Sequence, residues 1–147
     1  MPGNSTNFAP ERKAPWHVWV VGIVALLWNG AGAYTIMMAQ AGRLPSLSAD
    51  EAAYYAAQPL WFVIVTDIAL TAAIAAAVAL LFRSRIAVWL FAISLVAIFI
   101  SDVYDLAAGS SRMLVNAGAI IVTIFIFVIA ILELVYASAM KRRGVLR

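Results

Sequence analysis

Asp67 lies inside an otherwise apolar run, residues 60–82, and is the side chain of this sequence best suited to do chemistry. A charge in the apolar interior of a bilayer costs at least about 2.5 kcal/mol, so a carboxyl there is protonated, paired or in contact with water. A carboxyl that changes its protonation between two environments can couple proton movement to solute movement. Asp67 is therefore the first candidate for a functional group.

Several other polar residues fall in the same half of the predicted helices as Asp67. Asp102 and Asp105 are three residues apart and share one helix face. We expect a water-accessible pocket open to the periplasmic side, with Asp67 at its floor. Its candidate residues are Asn29, Asp67, Asp102, Asp105, Arg112 and Asn116. The alternative is that Asp102 and Asp105 merely end their helix at the headgroups while Asn29 hydrogen-bonds Asp67.

The step from Trp28 to Gly30 in the first apolar run is a second candidate. Trp28 lies too deep to belong to the aromatic belts at the membrane surfaces. Gly30 and the small residues 31–33 predict a surface on which helices pack closely. The alternative is that the chain contacts a ligand at Trp28, Gly30 and Tyr34.

The composition assigns the chain to the membrane proteins, because 65% of its residues are hydrophobic and 12% are charged. Four apolar runs predict an all-α, polytopic membrane protein, an antiparallel bundle of four transmembrane helices. The predicted helices span residues 15–40, 59–82, 86–108 and 113–136, within one transmembrane domain of residues 15–140. Residues 1–14 are predicted to be a disordered cytoplasmic tail, and residues 141–147 a basic cytoplasmic tail.

The loop between the first two helices carries the sequence Ser48-Ala49-Asp50-Glu51. A serine followed three residues later by glutamate can cap the start of a helix with reciprocal hydrogen bonds. We therefore predict a short interfacial helix that ends near Gln58, before Pro59 opens the second transmembrane helix.

The net charge of +3 is explained by membrane topology, without a nucleic-acid partner. Eight of the ten Lys and Arg residues lie on one side of the predicted bundle, in the N-terminal segment, the second loop and the tail. By the positive-inside rule, both termini are cytoplasmic. Glu133, near that surface, is expected to form a snorkelling pair with Lys141.

Enzymatic chemistry is not expected. The sequence has no cysteine and a single histidine, His17, which leaves no thiolate site and no bis-histidine haem site. Phosphate-binding loops and nucleophile elbows are absent from the sequence. A paired-aspartate site would need Asp67 and Asp102 to meet at one depth. We predict no metal and no cofactor.

The stretch from Trp28 through Asn29, Gly30, Ala33 and Tyr34, followed by an acidic, tyrosine-containing loop, resembles a family of small four-helix bacterial membrane proteins. Some members carry the label "sugar transporter". The resemblance covers roughly residues 16 to 110 and implies a four-helix architecture and a multi-pass location in the bacterial cytoplasmic (inner) membrane. It implies no chemical role for any residue.

Two hypotheses for the function follow from the sequence. The first is a non-enzymatic membrane protein whose polar cluster, in the periplasmic half, gives packing specificity or a surface for a partner. The second is a small proton-linked solute transporter, or transporter subunit, that uses Asp67. The expected partners are the lipid bilayer and either a parallel homo-oligomer or another membrane protein.

Overall fold

The computed structural model describes residues 15–108 and 117–147. These residues form helices joined by turns and irregular segments, and none of them lies in a strand. The helices are α1 (His17–Gln40), α2 (Ala49–Ala56), α3 (Leu60–Leu81), α4 (Ile86–Ala107) and α5 (Ala117–Arg142). Four of them, α1, α3, α4 and α5, are long and apolar enough to cross a membrane. The predicted all-α class with four long apolar helices is confirmed. The predicted tail at residues 1–14 and the predicted helix start at 113 lie outside the described residues.

The ends of α1, α3 and α4 lie within two residues of the predicted ends. The end of α5 does not, since this helix continues to Arg142, six residues beyond the predicted end at Tyr136. Ala137 and Met140 are buried in the core, so packing supports the additional turns. Lys141 and Arg142 lie in the last turn, where positive charge favours a helix.

The short helix α2 is capped as predicted. The hydroxyl of Ser48 accepts a hydrogen bond from the Glu51 backbone N–H at 3.3 Å, and the Glu51 carboxylate accepts one from the Ser48 N–H at 2.9 Å. The helix ends at Ala56, two residues before the predicted end. Pro59 then precedes α3 in an extended conformation.

Helix α3 lies at the centre of the arrangement, because α1 and α4 both pack against it and α5 packs against α4. We call the end that contains His17, Leu81, Ile86 and Arg142 the proximal end, and the end that contains Gln40, Leu60 and Ala107 the distal end. The face of α3 toward its neighbours is built from small side chains, which allow the helices to approach closely. The buried alanines on this helix are Ala69, Ala72, Ala73, Ala76 and Ala77.

Helix α1 approaches α3 closely at Gly22. A Cβ atom at Gly22 would lie 2.5 Å from Leu81 Cδ2 and 2.9 Å from its Cγ. At Gly30 and Gly32, by contrast, a Cβ atom would meet nothing within 4 Å. Among the described residues, no other helix comes close to Gly30 or Gly32, whereas Ala33 in the same stretch is buried, so close packing at Gly30 stays a prediction.

Alanine substitution should have opposite effects on the unfolding temperature at Gly32 and at Gly22. We expect Gly32→Ala to raise the unfolding temperature, because alanine favours a helix over glycine by about 0.8–1 kcal/mol. Gly22→Ala should lower the unfolding temperature, because Leu81 must move to admit the methyl group. Thermal unfolding in detergent, followed by tryptophan fluorescence, measures both. An equal rise for the two variants would show that α1 and α3 are not in contact at Gly22.

The residues after α5 pack onto the turn between α3 and α4. The chain reverses at Gly144, whose φ of +70° favours glycine, and the side chains of Val145 and Leu146 enter the hydrophobic core. Arg147 N–H donates to the Arg83 carbonyl at 2.7 Å, and Arg85 N–H donates to the Arg147 carbonyl at 2.9 Å. The predicted tail at residues 141–147 is thus partly helix and partly a docked segment, which we call the C-terminal clip (residues 144–147).

Both arginines of this turn hold the C-terminal clip with their side chains as well. Arg83 Nε donates to the Val145 carbonyl and Arg85 Nε to the Leu146 carbonyl, each at 3.2 Å. Arg83 has a φ of 58°, a left-handed conformation that is uncommon for a residue with a side chain. The four hydrogen bonds to the clip offset the cost of this conformation.

Candidate functional site

A carboxyl–amide pair joins α1 to α5 within their apolar stretches. Asn29 Nδ2 donates one hydrogen bond to Glu133 Oε1 and another to the Ala25 carbonyl, both at 2.9 Å. Both N–H groups of the Asn29 side-chain amide therefore donate a hydrogen bond. The alternative in which Asn29 holds Asp67 is wrong, since Asn29 contacts Glu133.

The position of Glu133 follows from the length of α5. Because the helix ends at Arg142, Glu133 lies nine residues before its end, or roughly 14 Å along the axis. The predicted end at Tyr136 placed it only three residues from the end. The expected pair with Lys141 is also wrong, because Glu133 pairs with Asn29 and the Lys141 ammonium lies over the Trp89 ring, 5.8 Å from its centre.

Glu133 lies on the wall of a groove of about 620 Å³ between α1 and α5. The groove remains because these two helices approach each other less closely than the other neighbouring pairs. Its walls are largely aliphatic, and its aromatic and polar groups are His17, Trp28, Glu133, Tyr136 and Arg143. The volume lies within the range of small-molecule sites.

One hydrogen bond and one aromatic contact connect α1 to α5 beside this groove. The Tyr136 hydroxyl and His17 Nδ1 are hydrogen-bonded at 2.6 Å near the proximal end. The rings of Trp28 and Phe125 meet edge to face, with their centres 5.6 Å apart. Trp28 was predicted to lie too deep for the aromatic belts, and in the structure its ring contacts Phe125 of α5.

A small cavity of about 20 Å³ lies on the other side of Glu133, between α1, α4 and α5. Its polar wall residues are Asn29, Ser94 and Glu133. Ser94 is buried, and its hydroxyl donates to the Ala69 carbonyl at 2.8 Å. A polar cavity of this size has room for about one water molecule. Glu133 thus borders both an open groove and an enclosed polar cavity.

Asp67 lies near the distal end of α3, away from this pair. Among the described residues, its Oδ1 atom is buried and has no hydrogen-bond partner. The same holds for Gln40 Nε2 and Gln58 Oε1, which lie at the distal end of α1 and just before α3. Buried polar atoms are generally paired with protein or water, so these three atoms, all in the distal half, are exceptions among the described residues.

Asp102 and Asp105 lie in the last turns of α4, on the distal side, and both are half-buried. Asp105 Oδ2 accepts a hydrogen bond of 2.7 Å from the Tyr54 hydroxyl of α2. The Tyr104 ring packs against Trp61 and Phe62 at the start of α3, with centres 4.7 and 5.1 Å apart. Asp105 thus connects α2 to the end of α4, a contact that the sequence did not predict.

Removing the Tyr54 hydroxyl should loosen α2. A hydrogen bond to a carboxylate contributes about 1.5–3 kcal/mol, so we expect Tyr54→Phe to speed hydrogen exchange in residues 49–57 about tenfold or more. Tyr34→Phe is the matched control, because Tyr34 is 63% exposed. Exchange of α2 that is equal in the two variants would show that Asp105 does not hold it.

The remaining candidate residues from the sequence do not line a common pocket among the described residues. Gly30 is half-buried and Tyr34 is exposed, both on the open stretch of α1. Arg112 and Asn116 lie outside the described residues. The structure therefore brings together Asn29 and Trp28 with Glu133, His17 and Tyr136, three residues that sequence reasoning did not place in a site.

Metal binding finds no support in residues 15–108 and 117–147, where no group of three or more His, Asp or Glu side chains could hold an ion. No family model, no curated protein and no solved structure matches this chain.

Proposed function

We propose that this protein is a non-enzymatic, multi-pass protein of the bacterial inner membrane that binds a small hydrophobic cation between α1 and α5 and exchanges it for a proton on Glu133. In this proposal the proximal end is cytoplasmic, as the positive-inside rule predicts. The observation that carries the proposal is the position of Glu133, which borders both the groove and the small polar cavity.

The carboxyl supplies the exchange chemistry. A carboxylate surrounded by aliphatic groups is costly unless it is protonated or paired with a cation. Glu133 accepts one hydrogen bond from Asn29, and among the described residues no cation is recorded in an ion pair with it. When a cation enters, the protonated carboxyl releases its proton to water and the carboxylate pairs with the cation, so that one charge is exchanged for another.

The walls of the groove favour an apolar cation. Trp28 lines the groove, and the faces of aromatic rings attract cations near their centres. The aliphatic walls favour a ligand whose charge is surrounded by hydrocarbon. Arg143 also lines the groove, but it lies ten residues from Glu133, roughly 15 Å toward the proximal end. His17 and Tyr136 lie between them, and a hydrogen bond joins His17 Nδ1 to the Tyr136 hydroxyl.

Transport would require more than one copy of the chain. The groove lies at the open side of the bundle, and four helices alone rarely enclose a path for a solute. The bias of positive charge to one end argues against two copies inserted in opposite directions. A parallel homo-oligomer, or a complex with another membrane protein, is the assembly that we propose.

The test is proton release on ligand binding. Purified protein in nanodiscs of zwitterionic lipid is titrated with tetraphenylphosphonium in weakly buffered solution, and a pH dye reports the protons released. We expect about one proton for each cation bound by the wild type. Glu133→Gln, which keeps the hydrogen bond to Asn29, should release none and bind at least tenfold more weakly.

Asp67→Asn serves as the matched control, because it makes the same kind of change at another carboxyl within the long apolar helices. We expect this variant to release protons like the wild type. Release that is lost in Asp67→Asn and kept in Glu133→Gln would transfer the role to Asp67 and overturn the proposal. Binding that is equal in the wild type and Glu133→Gln would leave the Asn29–Glu133 pair with a structural role only.

A further inference from the structure

A second groove, of about 770 Å³, lies between α4 and α5 at the proximal end. It faces a different side of α5 from the groove that contains Glu133, although Val135 lines both grooves. Its cations are Arg85 of the turn before α4, and Lys141 and Arg142 of the last turn of α5. No acidic side chain is among its lining residues.

The cations of this groove are held in place by the fold. Arg85 donates its backbone N–H to the Arg147 carbonyl and its Nε–H to the Leu146 carbonyl, which leaves its terminal N–H groups available. The Lys141 ammonium lies over the Trp89 ring, and this ring is itself 67% exposed. Tryptophan at such a position is typical of the headgroup level of a membrane.

The groove changes from polar to apolar along the helix axis. Ser138 lies about one turn below Lys141, and Leu134 about one turn further toward the distal end. Val88, one turn along α4 from Arg85, lines the opposite wall. Positive charge at the membrane surface with aliphatic walls beneath it complements an anionic headgroup attached to hydrocarbon chains.

We propose that the groove between α4 and α5 binds an anionic phospholipid, with its phosphate at Arg85, Lys141 and Arg142 and an acyl chain along Val88 and Leu134. Basic pockets between transmembrane helices on the cytoplasmic side recognise such headgroups. The proposal rests on insertion in a membrane but not on cation exchange at Glu133. An experiment can therefore disprove the lipid-binding proposal without affecting the cation-exchange proposal, and the reverse.

The experiment compares two neighbouring arginines with the same change of charge. Arg142 lines the groove between α4 and α5, whereas Arg143 lines the groove between α1 and α5. Native mass spectrometry of protein in detergent with phosphatidylglycerol or phosphatidylcholine measures the lipid that each variant retains. We expect the wild type to prefer phosphatidylglycerol, Arg142→Gln to bind it about fivefold more weakly, and Arg143→Gln to match the wild type within twofold.

Two additional experiments are needed. One distinguishes loss of charge from loss of folding, and the other distinguishes binding of a lipid from binding of a free anion. Lys141→Arg keeps the charge and should retain phosphatidylglycerol, whereas Lys141→Gln should lose about fivefold in affinity. Inorganic phosphate at millimolar concentration should not displace the lipid, because it cannot occupy the aliphatic part of the groove. Equal losses in Arg142→Gln and Arg143→Gln, no preference for the anionic lipid, or displacement by phosphate would each overturn the assignment.

Discussion

Leu146→Ala is expected to destabilise the protein by about 2–5 kcal/mol, the usual cost of removing the side chain of a fully buried leucine. The Leu146 side chain has 0% of its surface exposed and belongs to the main hydrophobic cluster. Its loss leaves a cavity between α3, α4 and α5 and weakens the attachment of the C-terminal clip to Arg83 and Arg85. Thermal or denaturant-induced unfolding of purified protein in mild detergent measures the effect.

Leu27→Ala provides the matched control for Leu146→Ala, because it makes the same chemical change on an exposed face. Leu27 is 68% exposed and does not belong to the core cluster. We expect its replacement to change the free energy of unfolding by less than about 0.5 kcal/mol. If Leu27→Ala and Leu146→Ala cost the same, the C-terminal clip is not docked in the core.

Asn29→Leu is expected to destabilise the bundle by about 1–3 kcal/mol, because it leaves the Glu133 carboxyl without its hydrogen-bond donor. The double variant Asn29→Leu/Glu133→Met should recover most of this loss. Replacing both partners of a buried polar pair with apolar groups is often nearly neutral, whereas replacing one is costly. The two single variants and the double variant form a double-mutant cycle that measures the coupling directly.

The cycle is informative whichever function Glu133 has. A coupling energy near zero would show that Asn29 and Glu133 do not interact in the membrane, and the site would lose its positioning residue. Asn29→Asp is a useful companion, because it replaces the donating amide with a second carboxyl. We expect that variant to be less stable than Asn29→Leu, since two carboxyl groups would then face each other.

Helix boundaries could be predicted because the apolar runs are long and are interrupted by clear signals. Pro59 precedes α3, and Ser48 with Glu51 caps α2 through contacts between neighbouring residues. Such features depend only on local sequence. The predicted end of α5 was wrong because it followed the end of the apolar run, whereas the helix continues through Ala137 and Met140, which pack in the core.

The site was harder to predict, because polar residues at similar depth need not face one another. Ending α5 at Tyr136 moved Glu133 roughly 9 Å toward the surface and made Lys141 its apparent partner. The run of helix-forming residues from Ala137 to Arg142 could have predicted the longer helix, and with it the deeper position of Glu133. The sequence could not reveal that Asn29 faces α5 and not α3, because the rotation of each helix depends on packing.

The C-terminal clip also sets an order of events during synthesis. Residues 145–147 leave the ribosome after every helix that they contact, so the core at the proximal end closes last. A chain interrupted before Leu146 would carry all of its helices and still expose the apolar surface that this residue covers. A chain that continues through Arg147 would hide the same surface. Proteases and chaperones that recognise exposed apolar segments therefore have a basis for distinguishing chains interrupted before Leu146 from chains that contain it.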